Sequence, residues 1–254
     1  RLLVGVAGTD VLKRLWNRRG RLQLKGAWRR LAAVALCCGA LLCAFRLYGR
    51  ARSRFGVQLP VRTVLQNPEL PNGCEAASLA ALLKYKGVPA DKLDLAYGYI
   101  PRGDIEETTD GRTGPDPELA YAGDPAAGLG FYCFAQPVAQ GANAYLAAQG
   151  SALRAADITG VTGQGLLQYL RGGDPVIVWI TKDLSAPRTG GCTWLLADTG
   201  ETYAPYANLH CVVLAGWDGD TCTIADPLQG RRRVDAAAFL QCFRQMGSRA
   251  VVVH

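Results

Sequence analysis

A helix that opens on a cysteine constrains this chain more than any other feature of its sequence. Pro68 and Pro71 exclude helix from the segment before it, and Gly73 permits a tight turn. From Cys74 to Lys86 (CEAASLAALLKYK) there is neither Gly nor Pro, and Ala, Leu and Lys dominate. A helix is therefore predicted there, stopped at Gly87. A thiol in the first turn of a helix lies at the positive end of the macrodipole, where its pKa is expected to fall and its thiolate fraction to rise. Most cysteines are simply small buried residues, and the chain has nine of them. What sets Cys74 apart is its position and a possible partner. His210 is one of only two histidines, the other being His254. A cysteine with a sequence-distant histidine is a known arrangement for a thiol enzyme, because the fold brings the two together.

Charge divides the chain. Residues 1–56 carry 13 Lys/Arg against one acid, Asp10, whereas the remaining 15 basic and 20 acidic residues leave the body net acidic. A nucleic-acid binder would carry its basic patch on the folded domain, so no nucleic-acid partner is expected. Leu31 to Phe45 is an uncharged apolar run, extended to Tyr48 if Arg46 is bypassed, with eight Lys/Arg in the 20 residues before it and five in the 20 after. The expected organisation is a basic cytoplasmic segment over 1–30, a membrane-spanning signal-anchor over 31–48, a linker over 49–57 and a globular domain over 58–254 outside the cytoplasm. The run is short for a span, so a cleaved signal-peptide core, which would leave the body secreted, is the alternative.

Within the body, Leu59 to Gln66 is predicted as a short strand. Asp91 is placed as the N-cap of a helix over Lys92 to Tyr99. Residues 101–130, rich in Pro, Gly and acids, are expected to form a long loop serving as one wall of a substrate cleft. Helices are predicted over Pro137 to Gln149 and Thr162 to Arg171, and strands over Val176 to Ile180 and Cys192 to Leu196. Leu209 to Trp217 and Thr221 to Ala225 flank an Asp218-Gly219-Asp220 turn and are predicted to pair antiparallel. A strand over Arg231 to Val234, a helix from Asp235 to Met246 and a strand over Arg249 to His254 complete the chain. Helices followed by an antiparallel sheet describe an α+β fold of two halves, with Cys74 opening a helix in the first, His210 opening a strand in the second and a cleft between.

Two further residues join the pair. If the hairpin is in simple register about Gly219, Asp226 lies level with Val212 and close to His210, where a carboxylate could orient the imidazole; alternatively, it only terminates the strand beside Pro227. Gln66, eight residues before Cys74, could offer an amide donor to an oxyanion. No close-spaced Cys/His cluster points to zinc or any other metal, and no cofactor is called for. Cys211 and Cys222, on the paired strands, could form a disulfide.

The segment QNPELPNGCEAASLAALL (66–83) resembles the active-site motif of the C39-like, papain-fold cysteine peptidases, relatives of the double-glycine bacteriocin-processing peptidases. HCVVLAGWDGDTCTIADPLQG (210–230) resembles the histidine and Asp-Pro motif of the same family, and Ala122-Gly123-Asp124-Pro125 its middle region. The resemblance spans roughly residues 58 to 254. It implies a papain-like α+β fold with Cys74 as nucleophile, His210 as general base, Asp226 as the group orienting the histidine and Gln66 as the oxyanion-hole glutamine. It also implies a peptide or protein substrate, hydrolysed through an acyl-thioenzyme. Transpeptidation or amidase chemistry with the same triad, or peptide binding without catalysis, are the other activities such a fold could carry.

Overall fold

The computed structural model describes residues 34–44, 56–109 and 111–254. The chain forms two compact units, Arg1–Arg54 and Phe55–His254. In the first, residues 34–44 are helical with exposed side chains. Such a stretch is about 16 Å long at 1.5 Å per residue, roughly half the apolar thickness of a bilayer. Among the described residues no helix is long and apolar enough to cross a membrane, so the expected span over 31–48 is not supported. Residues 31–33 and 45–48, the basic segment 1–30 and the linker up to residue 55 lie outside the described residues.

Among its described residues the second unit contains thirteen strands: β1 (Val57–Gln58), β2 (Arg102–Gly103), β3 (Glu106–Thr108), β4 (Gly111–Gly114), β5 (Tyr121–Ala122), β6 (Ala155–Asp157), β7 (Val176–Thr181), β8 (Trp194–Leu196), β9 (Thr202–Tyr203), β10 (Leu209–Trp217), β11 (Thr221–Asp226), β12 (Gly230–Asp235) and β13 (Ala250–Val253). Its α-helices are α1 (Cys74–Tyr85), α2 (Lys92–Asp94), α3 (Ala135–Ala148), α4 (Gly163–Gly172) and α5 (Ala236–Gln245), with a π-helical turn over Leu95–Tyr99 continuing α2. The main sheet runs β12-β11-β10-β7-β13-β6 with β1 on β10, every pair antiparallel.

Local chemistry sets the helix starts. Asp91 accepts from the N–H groups of Leu93 and Asp94, Thr162 from Gly165 and Asp235 from Ala238. Helix α1 has no such cap and no polar face. Every residue from Cys74 to Leu83 is buried, and its alanines let it press against the central strands β10 and β7. Ser78 Oγ, within this face, donates to the Cys211 carbonyl of β10 at 3.1 Å. Burying Leu79, Leu82 and Leu83 contributes about 1.5–3 kcal/mol each, so tertiary packing rather than capping fixes where α1 begins.

Two expectations are corrected. Leu59 to Gln66 forms no strand. Pro60 has no N–H to offer a ladder, and Arg231 Nη1 takes the carbonyls of Leu59 and Val61 at 3.0 and 3.1 Å. Residues 101–130 are not a plain loop. They hold β2 to β5, of which β3 and β4 join β8 and β9 in a second sheet and β2 pairs β5 in parallel. Trp194 fills the small core of this region with Ala122 and Leu196, and composition alone hid it because every strand is short. The pairing of the cysteines, left open by the sequence, is answered as well: all nine are free, and Cys222 pairs with Trp217, several residues along the hairpin from Cys211.

Candidate active site

Cys74 is the first residue of α1 and is 6% exposed. Its place is set by the turn before it. Leu70 N–H donates to the Gln66 carbonyl at 2.9 Å and Gly73 N–H to the Leu70 carbonyl at 2.9 Å. A side chain at Gly73 would put its Cβ 2.6 Å from that of Leu70, so only glycine lets the turn close onto the cysteine. Buried Lys92 ties the same turn from outside, donating to the carbonyls of Leu65 and Gln66 at 2.6 and 2.9 Å and to Glu69 at 2.6 Å. Asn72 joins it to the 124–127 loop, through its N–H to Pro125 O at 3.0 Å and its Nδ2 to Ala127 O at 2.9 Å.

The thiol does not behave as its position at a helix start predicts. Burial pushes the Cys74 pKa well up, and the charge of Glu75 pushes it further; the Cys211 backbone N–H and Lys182 oppose this without reversing it. Desolvation by the packed, apolar start of α1 is the largest of these influences. Glu75 itself is 1% exposed. Its Oε1 accepts from Cys133 N–H at 3.3 Å, and its Oε2 lies 3.4 Å from Cys74 Sγ. Burial raises this carboxyl to about 8 against the weaker pull of its own backbone N–H and of those two contacts.

On the facing side, β10 and β11 carry His210 and Asp226. Near their turn the strands pair Trp217 with Cys222 and Gly216 with Thr223; beyond a bulge at Ala215 the pairing steps to Leu214 with Ile224 and Val213 with Ala225. Continuing that step sets Asp226 level with Val212, on the face His210 shares. Had the register near the turn continued unbroken, with Ala215 paired instead of bulged, Asp226 would stand opposite Val213 and turn to the other face, because a one-residue slip inverts a strand. The expected simple register about Gly219 thus holds at the site but not at the turn. His210 Nε2 and Asp226 Oδ1 are 2.7 Å apart and both residues are buried. Asp226 Oδ1 also accepts from Leu228 N–H at 2.8 Å, and Oδ2 from Arg232 Nε at 2.8 Å. Burial raises the Asp226 carboxyl, but the hydrogen bond and charge of His210, with the Leu228 N–H and Arg232, outweigh it and lower the value to about 2.

Gln66, Cys74 and His210 open on one cavity of about 230 Å³, walled also by Tyr132, Lys182 and Tyr206. Asp226 is not among its lining residues and holds His210 from behind. Gln66 is 2% exposed; its Nε2 donates to the Pro71 carbonyl, while its Oε1 has no partner. The amide cannot be turned over, since Oε1 would then face another acceptor, so one N–H of Nε2 remains uncommitted. The 123–130 loop that supplies the adjoining wall is closed by a bridge between Gly123 and Gly130. A Cβ at Gly130 would lie 2.0 Å from the Asp124 carbonyl oxygen.

The structure therefore brings together all four residues singled out in the sequence. Glu75, Lys182 and Arg232 also belong to the surroundings and were not anticipated. Glu75 could have been noticed as an acid inside an otherwise apolar helix, and Arg232 as the alternate position of the Arg231-Arg232-Arg233 run. Among the described residues no group of His, Cys, Asp and Glu is arranged to hold a metal ion.

Known proteins resemble this chain. The Bacillus subtilis protein YvpB, itself uncharacterized, is 30% identical over 203 residues, which is 78% of this chain and 77% of that protein. The crystal structure of a candidate C39-like peptidase from Bacillus anthracis is 31% identical, with a TM-score of 0.68 over 78% of this chain and 97% of its own. A double-glycine motif protease of an AMS/PCAT transporter, crystallised with the leader peptide, is 18% identical with a TM-score of 0.39 over 78% of this chain and 91% of its own. The fold is the mixed α/β fold of C39-like peptidases. The stretch that carries the cysteine helix, the histidine strand and the cavity between them, residues 58–251, matches the Peptidase_C39 like family, and the chain belongs to that family.

Proposed function

We propose that this protein is a cysteine peptidase that hydrolyses peptide bonds through an acyl-thioenzyme at Cys74. The observation that carries the reading is the buried 2.7 Å contact between His210 Nε2 and Asp226 Oδ1, on a histidine that opens on the same cavity as Cys74. An ionised Asp226 accepts the Nε2 proton, which leaves Nδ1 as the free base of the neutral ring. The thiol proton passes to Nδ1 as sulfur attacks the carbonyl carbon of the scissile bond. The uncommitted N–H of Gln66 and the backbone N–H of Cys74 receive the oxyanion. Collapse of the tetrahedral intermediate breaks the C–N bond, and the Nδ1 proton leaves with the amine. A water molecule, deprotonated by the same nitrogen, then splits the thioester and releases the acid. Because the resting thiol is held neutral by burial, deprotonation accompanies attack rather than preceding it.

The test is cleavage of a complex peptide mixture by the full chain, with products mapped by mass spectrometry. Wild-type protein is expected to cut, and Cys74→Ala and His210→Ala to lose at least about 10³-fold in rate. Undiminished cleavage by either variant would overturn the assignment. So would a wild-type protein that binds peptides yet leaves them intact.

A further inference from the structure

Glu75 is an expensive residue to bury. Among the described residues no cation is paired with it, and besides its own backbone N–H its polar contacts are the Cys133 N–H at 3.3 Å and the Cys74 sulfur at 3.4 Å. A carboxyl in such surroundings is tolerated in its neutral form and opposed in its charged one. Neutral, it is no longer only an acceptor: with Oε1 taken by the Cys133 N–H, Oε2 carries a proton aimed at the sulfur. The anchor is rigid, because the Cys133 carbonyl in turn accepts from Trp179 Nε1 of β7 at 2.9 Å.

We propose, building on Cys74 as the nucleophile, that Glu75 is a positioning residue whose neutral carboxyl donates a hydrogen bond to the Cys74 sulfur and whose ionisation switches that sulfur off. When the thiol proton moves to His210 Nδ1 during attack, the Glu75 O–H stabilises the thiolate it faces. Once Glu75 has lost its proton, Oε2 instead accepts the S–H, and a thiolate would have to form against a carboxylate 3.4 Å away. The other titratable groups around Glu75 leave the switch to it. They are Cys74 on its own helix, Cys133 ahead of α3, Tyr121 of β5 and Cys211 of β10, all pushed well up by burial first. Lys182 and His210 face Cys74 from the cavity side. As pH rises, Glu75 is therefore the first of the buried cluster to ionise, at about 8.

Site-resolved alkylation of Cys74 by iodoacetamide, in the full chain between pH 5 and 10, tests this without a peptide substrate. The wild-type rate is expected to rise and then level or fall around pH 8. In Glu75→Gln, whose amide keeps the acceptor for Cys133 N–H and a donor for sulfur but cannot ionise, that break is lost. The ratio of rates at pH 9.5 and 6.5 should exceed the wild-type ratio by about tenfold, the effect of one unit in the thiol pKa. A break retained in Glu75→Gln overturns the switch and leaves the peptidase reading standing. His210→Ala separates the two further: it should depress the rate below pH 8 and keep the break, and no change below pH 8 would count against His210 alone. A Cys74 inert at every pH overturns both. A carbon-13 NMR titration of the wild-type Glu75 carboxyl needs no variant; a midpoint near 8 supports the proposal, and one near the ordinary value of about 4.3 sinks it.

Discussion

The two walls of the cavity are built on opposite principles. The His210 wall is polar and fully committed: both oxygens of Asp226 are engaged, by the ring, a backbone N–H and Arg232. The Cys74 wall is apolar, and its acid, Glu75, has no cation beside it among the described residues, only its own backbone N–H and two long contacts to Cys133 N–H and Cys74 Sγ, both above 3.2 Å. Electrostatics therefore favours the charged form of one wall and the neutral form of the other: the Asp226 carboxyl is lowered to about 2 and Glu75 raised to about 8. On the proposed reading, a site of this kind keeps its base oriented at all times and its nucleophile quiet until a substrate excludes water and offers a carbonyl.

The largest expected effect comes from breaking the polar wall alone. Asp226→Asn preserves shape but fixes the wrong tautomer of His210, and kcat/KM on a cleaved peptide should fall by roughly 10²–10⁴. Alkylation of Cys74 above pH 9, which needs no base, should survive. Equal loss of both would mean that Asp226 holds the fold and not the ring.

The polar wall also marks what could be read from the chain and what could not. Cys74, His210, Asp226 and Gln66 were visible because each sits at a punctuated position, and β10 and β11 because apolar runs flank an Asp-Gly turn. The bulge at Ala215 was not, since nothing in Leu214-Ala215-Gly216 marks an extra residue. The sign of the thiol's shift was lost for a related reason. Helix position is written in the sequence, but the closure of β10 and β7 over the start of α1 exists only after folding. The sheet built from β3, β4, β8 and β9 escaped because strands of two to four residues, far apart in the chain, leave no periodicity to detect.

A smaller effect comes from loosening the polar wall. Arg232→Met removes the partner of Asp226 Oδ2 and should cost about 1.5–3 kcal/mol of stability at pH 7, as for other hydrogen bonds to charged groups. The pH dependence follows from the sign of the Asp226 shift. Its folded value, about 2, lies below the unfolded value of about 3.9. Its contribution is therefore complete above pH 4 and lost as pH falls through 2. Urea unfolding of wild type should show that loss, and Arg232→Met, with less to lose, a shallower one. Identical slopes would mean that Arg232 does not help to hold the charge. Glu75 runs the other way: with a folded value near 8, above the unfolded value of about 4.3, it destabilises progressively from pH 4.3 to 8. Glu75→Gln should gain stability over wild type across that window and nothing below it.

The smallest effect should come from the apolar wall, at the seam that keeps it near the substrate. Asn72 Nδ2 reaches Ala127 O across 55 residues of sequence, and the loop it holds leads directly to Gly130, Phe131 and Tyr132 on the cavity. The bond is exposed, so Asn72→Ala should cost only about 0.5–1.5 kcal/mol. It leaves the Asn72 N–H on Pro125 and the start of α1 in place. The loss should appear as a KM raised about 2- to 10-fold, the same energy expressed in binding, with kcat little changed. A fall in kcat with unchanged KM would show that this seam aligns Cys74 itself, and that the apolar wall is as finely set as the polar one.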